Sequence, residues 1–292
     1  MNEINPNITG NIIPDNTYQP LKTGRICLFD ADFFKYLVTD RRYKMLADTG
    51  DFINEFTNEY ETVEMTIKNL ISSFLGSIQD PIIFCFSGKS FLTFRNYIGI
   101  EKKYKISRLK PKEYRDYPGK NDDKDKVVSY VNNHYVSLMF ADLEADDILS
   151  ALQDNDNTYI LSHDKDLKQI PGYHYDFERN NIYQITQETA IYNLGMQLLM
   201  GDSTDDIVGI PGIGEAKAKE ILQNVSAKNI IHKVQREYKK RFGIITGTDM
   251  FAENWMLVKT RMNRGTHFIN EYKRMFDTKN LLIEQLKSNQ NV

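Results

Sequence analysis

Acidic residues follow several short apolar stretches of this sequence, in a pattern that can hold metal ions. Asp30 follows ICLF at 26–29, the run EADD at 144–147 follows YVSLMF at 135–140, and Asp164 and Asp166 follow TYIL at 158–161. Two carboxylates ~4 Å apart repel each other by about 4 kcal/mol at an effective dielectric of ~20. Hard divalent cations relieve this repulsion, and Mg²⁺ is the usual one beside phosphates. The pattern therefore predicts a carboxylate site for divalent cations.

A second segment, GDSTDDIVGIPGIG at 201–214, places acids beside glycines. The glycines let the backbone approach a ligand closely, and a helix that starts near Glu215 points free N–H groups and its positive dipole end at an anion. A nucleic-acid backbone suits both halves of the segment. Backbone amides and nearby lysines hold one phosphate, while metal ions held by Asp202 and Asp205 engage another.

The elements that must position these residues alternate along the chain. Four short apolar stretches lack the alternation of polar and apolar residues, and segments with helical patterning separate them. They are ICLF, IIFCF at 82–86, YVSLMF and TYIL. This arrangement predicts an α/β fold with a mostly parallel central sheet flanked by helices. In such sheets ligands bind beyond the carboxyl ends of the strands, where this chain carries its acids.

The sequence predicts a division of the chain into four segments. We expect a flexible extension over 1–24, the α/β core over 25–186, a helical module over 187–242 with no further strand, and a C-terminal helical segment over 243–292 that packs on the core. A chain of 292 residues with 41% apolar residues can form one large domain or two. No apolar run approaches the ~18 residues of a membrane span, and Cys27 and Cys85 are expected to be buried and reduced in a cytoplasmic protein.

Charge is segregated although the net charge is only −3. The segment KKYKISRLKPKEYR, from Lys102 to Arg115, has seven basic residues against one acid, and REYKKR at 236–241 has four against one. A solvated surface would explain either run alone. Basic runs in a chain with separate acidic clusters are also typical of proteins that bind nucleic acids.

Four motifs, in this order and spacing, resemble the structure-specific 5′ nucleases, the family of flap endonucleases and 5′–3′ exonucleases of bacteriophages, bacteria and eukaryotes. They are LFDAD, LEADD, ILSHDKDLKQI and GDSTDDIVGIPGIGEAKAKEIL, and the resemblance covers roughly 25–242. It implies a PIN-like nuclease core with a helical arch at about 96–133 and a helix-hairpin-helix module. The metal-site carboxylates that it implies are Asp30, Glu144, Asp146, Asp147, Asp164, Asp166, Asp202 and Asp205.

The same resemblance implies the remaining site residues and the ligands. Catalysis would use Lys105, Arg108 and Asp164, and DNA would be contacted by Tyr104, Lys105, Arg108, Gly212, Gly214 and Lys217. The cofactors would be two or three Mg²⁺ ions, replaceable by Mn²⁺, with K⁺ at the helix-hairpin-helix. The substrate would be DNA with a 5′ flap, 5′ overhang or nick, cut by a monomer.

One position departs from the family pattern, and two other functions remain open. The family usually carries an Asp just after the second strand, where this chain has Ser87 and Gly88 in FCFSGKS, with Asp32 as the first candidate to replace it. LFDADFF with Ser87 also resembles haloacid-dehalogenase-type phosphatases. That family's later GD motif should follow a strand, whereas AIYNLGMQLLM is helical in pattern. The third alternative is a scaffold that binds branched DNA without cutting it.

Overall fold

A six-stranded sheet forms the centre of the protein. The computed structural model describes residues 20–88, 93–98, 104–105, 117–154 and 156–260. The strands are β1 (Ile26–Asp30), β2 (Ile82–Ser87), β3 (Val136–Phe140), β4 (Thr158–Leu161), β5 (Gly172–Asp176) and β6 (Asn181–Ile185). Their order is β3-β2-β1-β4-β5-β6, and all neighbours are parallel except the antiparallel pair β5/β6. The predicted α/β class with a mostly parallel sheet is confirmed.

Helices cover both faces of this sheet. They are α1 (Ala31–Thr49), α2 (Val63–Leu75), α3 (Lys120–His134), α4 (Ala145–Leu152), α5 (Gln187–Met200), α6 (Glu215–Leu222), α7 (Ala227–Phe242) and α8 (Ile244–Val258). Phe29 and Phe84 face a core made with α1, α2 and α3. Leu28 and Ile83, on the opposite face, join a core made with α4 to α8. The central strands are buried on both sides, which explains why their sequences do not alternate.

The strand order places a switch point next to β1. The chain runs from β1 to β2 and β3 on one side, and then returns to place β4 on the other side of β1. At such a point the connections leave in opposite directions and open a crevice beyond the carboxyl ends of the strands. Asp30 ends β1 at this crevice, and Asp164 follows β4 by three residues.

Several sequence expectations need correction. The strands β5 and β6 were not expected, because their half-exposed residues sit among turn formers such as Pro171 and Gly172, and the two-residue strands β7 (Gly201–Asp202) and β8 (Ile207–Val208) form a further hairpin. The predicted extension is too long, since the N–H groups of Thr23 and Gly24 donate to Asp80. Residues 1–19 and 261–292 lie outside the described part of the chain.

Two further expectations concern the cysteines and membrane-spanning helices. Cys27 and Cys85 are buried and unbridged, as predicted. Among the described helices, none has both the length and the apolar character that crossing a membrane requires.

Candidate functional site

One serine links the Asp30 carboxylate to the backbone of Asp164 at the switch point. Ser162 donates its hydroxyl to Asp30 Oδ2 at 2.8 Å, and Ser162 Oγ accepts the N–H of Asp164 at 3.0 Å. Asp164 in turn caps the 3-10 turn Lys165–Gln169, because its Oδ1 accepts the N–H of Asp166 at 2.8 Å. No pattern in the sequence marks Ser162, since serine after a strand is common. The serine fixes the loop that carries the DxD acids against the end of β1.

The acids at the start of α4 point in different directions. Glu144 is the N-cap, and it forms a capping box with Asp147. Both are buried, whereas Asp146, between them in sequence, is half-buried and faces the charges of Asp164 and Asp30. The cap thus fixes the orientation of the helix, and Asp146 is the α4 acid that joins the group at the switch point.

A buried arginine corrects the prediction for Asp147. Arg95 is 2% exposed and holds both carboxylate oxygens of Asp147, with Nη1 to Oδ2 at 2.7 Å and Nη2 to Oδ1 at 2.8 Å. Its Nη1 also donates to Glu144 Oε2 at 3.1 Å. A carboxylate whose two oxygens bind a guanidinium is not placed to ligate a metal, so Asp147 is a structural partner here. No motif in TFRNY marks Arg95, and only the folded structure reveals its role.

Tyr104 and Lys105 reach into the carboxylates from the segment between β2 and α3. Lys105 Nζ lies 2.8 Å from Glu144 Oε1 and 3.5 Å from Asp205 Oδ2. The Tyr104 hydroxyl lies 2.9 Å from both Glu144 Oε2 and Asp205 Oδ2. Tyr104 is 5% exposed, so in this conformation its hydroxyl is directed at the acids rather than at a DNA strand. Arg108 and residues 99–103 and 106–116 of the arch predicted at 96–133 lie outside the described residues, whereas residues 120–133 belong to α3.

The hairpin of β7 and β8 brings the last two acids to the same place. Asp202 is 7% exposed and accepts the N–H of Thr204 at 2.7 Å. Asp205, at the tip of the hairpin, accepts the N–H of Lys105 with its carbonyl oxygen at 2.9 Å. The charges of both acids act on Asp164. The structure thus gathers seven of the eight predicted carboxylates around one crevice, with Asp147 turned away to Arg95.

The acids of this crevice repel one another. Desolvation, followed by the charges of Asp32 and Asp164, raises the pKa of Asp30 to about 7. Desolvation and the charges of Asp164 and Asp202 raise the pKa of Asp166 to about 8. The pKa of Asp146 also lies well above its usual range, through desolvation and the charge of Asp164. Glu144 differs, because Arg95 and Lys105 outweigh its desolvation and lower its pKa.

This donor set fits divalent cations by its chemistry. Oxygen ligands with raised pKa values lose protons when a hard cation binds, and the cation removes their mutual repulsion. In the ranges that the structure describes, no three His, Cys, Asp or Glu side chains are already grouped as a finished metal site. The carboxylates must therefore adjust their side-chain conformations to share an ion.

The glycine loop ends in a helix start that is open to solvent. Gly212 has φ +81°, and Gly214 is the N-cap of α6 without a side-chain cap, with no heavy atom within 4 Å of a Cβ built there. Lys217 is exposed in the first turn of α6. Exposed backbone N–H groups at a helix start attract anions. The geometry is compatible with the predicted phosphate grip.

Two 5′-3′ exonucleases align in sequence with more than half of this chain. No family model matches the sequence. A 5′-3′ exonuclease of Buchnera aphidicola subsp. Schizaphis graminum is 30% identical over 186 residues, which cover 59% of this chain and 62% of that protein. A 5′-3′ exonuclease of Mycoplasmopsis pulmonis is 25% identical over 240 residues, covering 74% of this chain and 75% of that protein.

A solved structure shares the fold. The 5′-exonuclease of bacteriophage T5 with bound zinc has a TM-score of 0.59 at 16% identity and covers 87% of this chain and 99% of its own. The chain is similar to 5′-3′ exonucleases in sequence and shares the fold of the T5 5′-exonuclease. A second T5 structure, a flap endonuclease in complex with DNA and metal ions, has a TM-score of 0.55 at 16% identity, with 88% and 99% covered.

Ser87 ends β2 and is bound on both sides. Ser87 Oγ accepts the N–H of Ala145 at 2.8 Å, and its own N–H donates to Asp32 Oδ1 at 3.2 Å. Asp32 also pairs with Lys35 at 2.6 Å. A Cβ on Gly88 would lie 2.3 Å from the carbonyl oxygen of Phe140, so no side chain fits at Gly88. Ser87 is therefore the position where a carboxylate can be restored.

We expect Ser87→Asp to lower the Mg²⁺ concentration that gives half-maximal cleavage, by about threefold to tenfold, because an added carboxylate at the end of β2 strengthens cation binding. The measurement is a Mg²⁺ titration of single-turnover cleavage. Ser87→Asn is the control, since it has the same shape without the charge. An unchanged midpoint in Ser87→Asp would mean that Asp32 already supplies the ligand, and Asp32→Asn should then raise the midpoint.

Proposed function

We propose that this nuclease hydrolyses phosphodiester bonds of DNA at junctions between single strand and duplex, as a flap endonuclease or 5′–3′ exonuclease that uses Mg²⁺. One observation carries the proposal most directly. Seven carboxylates converge on the switch point of the sheet, several with raised pKa values, and Lys105 reaches into the same group. The alignment spans 62% of the Buchnera relative, so activity and substrate are proposed for this chain rather than carried over.

The residues that would hold the ions come from four segments of the chain. Proposed ligands are Asp30, Glu144, Asp146, Asp164, Asp166, Asp202 and Asp205. When bound, such ions activate water and stabilise the leaving oxygen of a phosphodiester. Arg95 holds Glu144, and Ser162 holds Asp30 and the start of the DxD loop, so these two side chains keep the carboxylates in place. Lys105 lies beside the acids, and its ammonium group would be able to turn toward a phosphate.

Duplex DNA would be gripped without sequence readout by the glycine loop. Gly212 and Gly214 expose backbone N–H groups, and Lys217 adds a positive charge on the same first turn of α6. Contacts of this kind go to phosphates and position the DNA rather than read it. We include K⁺ at this loop and a monomeric state in the proposal.

Gly214→Asp tests that grip without straining the fold. Gly214 has φ −95°, open space around its Cβ and the N-cap position, where Asp is a favoured residue. We expect duplex affinity to fall by roughly tenfold and the slope of log K against log salt to flatten by about one, because a charge is set against a phosphate. Gly214→Asn, which caps equally well without charge, should bind like the parent. Equal losses in both variants, or an unchanged salt slope, would place the grip elsewhere.

A single assay decides among the three functions. Labelled flap, nicked and 5′-tailed DNA are incubated with the protein and Mg²⁺, with p-nitrophenyl phosphate in parallel and a chelator as control. We expect cleavage near the junction that stops with the chelator. Phosphatase turnover with intact DNA would support the dehalogenase-type alternative, although the helix α5 before Gly201 and Asp202 argues against it. DNA binding without either reaction would support the scaffold.

A further inference from the structure

Arg95 connects the carboxylate site to the end of α8, the last helix in the described part of the chain. On one side its guanidinium holds Asp147 and Glu144. On the other side its Nε donates to the carbonyl oxygen of Leu257 at 2.9 Å, and its Nη2 donates to that of Lys259 at 3.2 Å. All the directions in which a guanidinium can donate are thereby used, so the position of Arg95 depends on the backbone of residues 257–260. We call these four residues the strap.

Gln169 holds the strap from the other side. Its Nε2 donates to the carbonyl oxygen of Val258 at 3.0 Å, and its Oε1 accepts the N–H of Thr260 at 3.3 Å. Gln169 is the last residue of the 3-10 turn that Asp164 caps and that contains Asp166. The backbone contacts therefore alternate along the strap, with 257 and 259 bound to Arg95 and 258 and 260 bound to Gln169.

The strap thus ties together the two elements that supply most of the proposed ligands. Arg95 binds Glu144 at the start of α4. Gln169 is part of the turn that Asp164 caps and that contains Asp166. The strap is well packed, since Leu257, Val258 and Thr260 are each at most 5% exposed. The strap consists of the last two residues of α8 and the two residues that follow it. A buried segment with hydrogen bonds on both sides is a rigid spacer between the groups it binds.

We propose that the strap, acting through Arg95 and Gln169, sets the separation between the α4 carboxylates and the DxD carboxylates and thereby the affinity of the site for divalent cations. Arg95 and Gln169 are positioning residues, because neither needs to contact a cation or DNA. The inference rests on one part of the proposed function, namely that the crevice binds divalent cations, and it does not depend on DNA cleavage. Partners that orient metal ligands commonly change metal affinity by about 10–100-fold when they are removed.

The experiment measures Ca²⁺ binding to the full chain by calorimetry, without DNA and without turnover. The variants are Gln169→Ala, Arg95→Lys and the double variant. Gln197→Ala and Asn193→Ala are matched controls. Gln197 is the other partner of Gln169, and Asn193 holds the same turn through the carbonyl oxygen of Lys168, but neither is bound to the strap. Thermal unfolding of each variant verifies that it is folded.

We expect the Ca²⁺ dissociation constant to rise about tenfold in Arg95→Lys and about threefold in Gln169→Ala, and to stay within about twofold of the parent in both controls. The double variant should lose less than the product of the single losses, because the second substitution acts on a strap that the first has already released. If Arg95→Lys does not fold, Gln169→Ala against Gln197→Ala still decides, since only the first loses contact with the strap.

Two results with the variants would overturn the proposal. One is a Gln169→Ala variant that binds Ca²⁺ like Gln197→Ala, and the other is a double variant with strictly multiplicative losses, which would mean independent local effects. A parent chain that binds no Ca²⁺ would also overturn it. A parent that binds Ca²⁺ and responds to the strap variants as expected, but cuts no DNA, would remove the proposed nuclease function and leave the strap intact.

Discussion

Asp164→Ala and Asp164→Asn should both lower the Mg²⁺-dependent cleavage rate by at least about a hundredfold while duplex binding is retained, because loss of a direct ligand costs more than loss of its supporting partners. The two variants separate two roles. Asp164 also caps the turn Lys165–Gln169, and Asn keeps that cap whereas Ala loses it. Equal losses would show that the charge matters, and a much smaller loss in Asn would show that the cap matters. The control is Asp156→Ala, an exposed acid in the turn before β4.

Asp164→Asn should also stabilise the metal-free protein against unfolding. Desolvation, together with the charges of Asp205 and Asp202, raises the pKa of Asp164 in the fold above the usual 3.8. A carboxyl group with a raised folded pKa destabilises the fold once pH exceeds its unfolded value, so removing its charge helps at neutral pH and not at about pH 3. In chelator at pH 7.5 the unfolding temperature of Asp164→Asn should exceed that of the parent, and Mg²⁺ should raise it less. A cleavage rate within about tenfold of the parent would contradict the ligand role.

The central strands and their acids could be predicted because they follow local rules. β1, β2, β3 and β4 are buried on both faces, so their sequences are short and apolar. The carboxyl ends of parallel strands share one edge, and this fixes where Asp30 and Asp164 meet. β6 is the edge strand and β5 lies next to it, and several residues of both are only partly buried. Their sequences therefore need few apolar residues, and the hairpin was missed for that reason.

The site could be predicted only in its list of acids, and not in their pairing. The sequence identified Glu144 and Asp147 as acids three residues apart, but it could not show which partner each of them faces. Arg95 decides this, because it takes both oxygens of Asp147. Its contacts to Asp147 and to Leu257 span 52 and 162 residues of sequence, so no local pattern carries them. Side-chain partners brought together by tertiary packing remain outside what spacing can show.

Lys105→Ala should affect chemistry and cation binding in opposite directions. Lys105 Nζ now neutralises Glu144 at 2.8 Å and lies 3.5 Å from Asp205. With a cation held by these carboxylates, the Lys105 ammonium group would be free to face the developing charge on a phosphate. Removing it should lower the single-turnover rate at saturating Mg²⁺ by about 10²–10³-fold, the usual loss for a donor to transition-state charge. The Mg²⁺ concentration for half-maximal rate should fall, since a competing positive charge has gone.

Single-turnover cleavage over a Mg²⁺ series measures both effects, and DNA affinity in Ca²⁺ is measured separately. Lys165→Ala is the matched control, because Lys165 is exposed beside Asp166 and has no hydrogen bond to the acids among the contacts that the structure describes. Its rate should stay within about tenfold of the parent, below the loss expected for a transition-state contact. A Lys105→Ala variant that loses only DNA affinity would make Lys105 an ordinary backbone contact. One whose Mg²⁺ midpoint rises would show instead that Lys105 organises Glu144 and Asp205 for the cation, and does not compete with it.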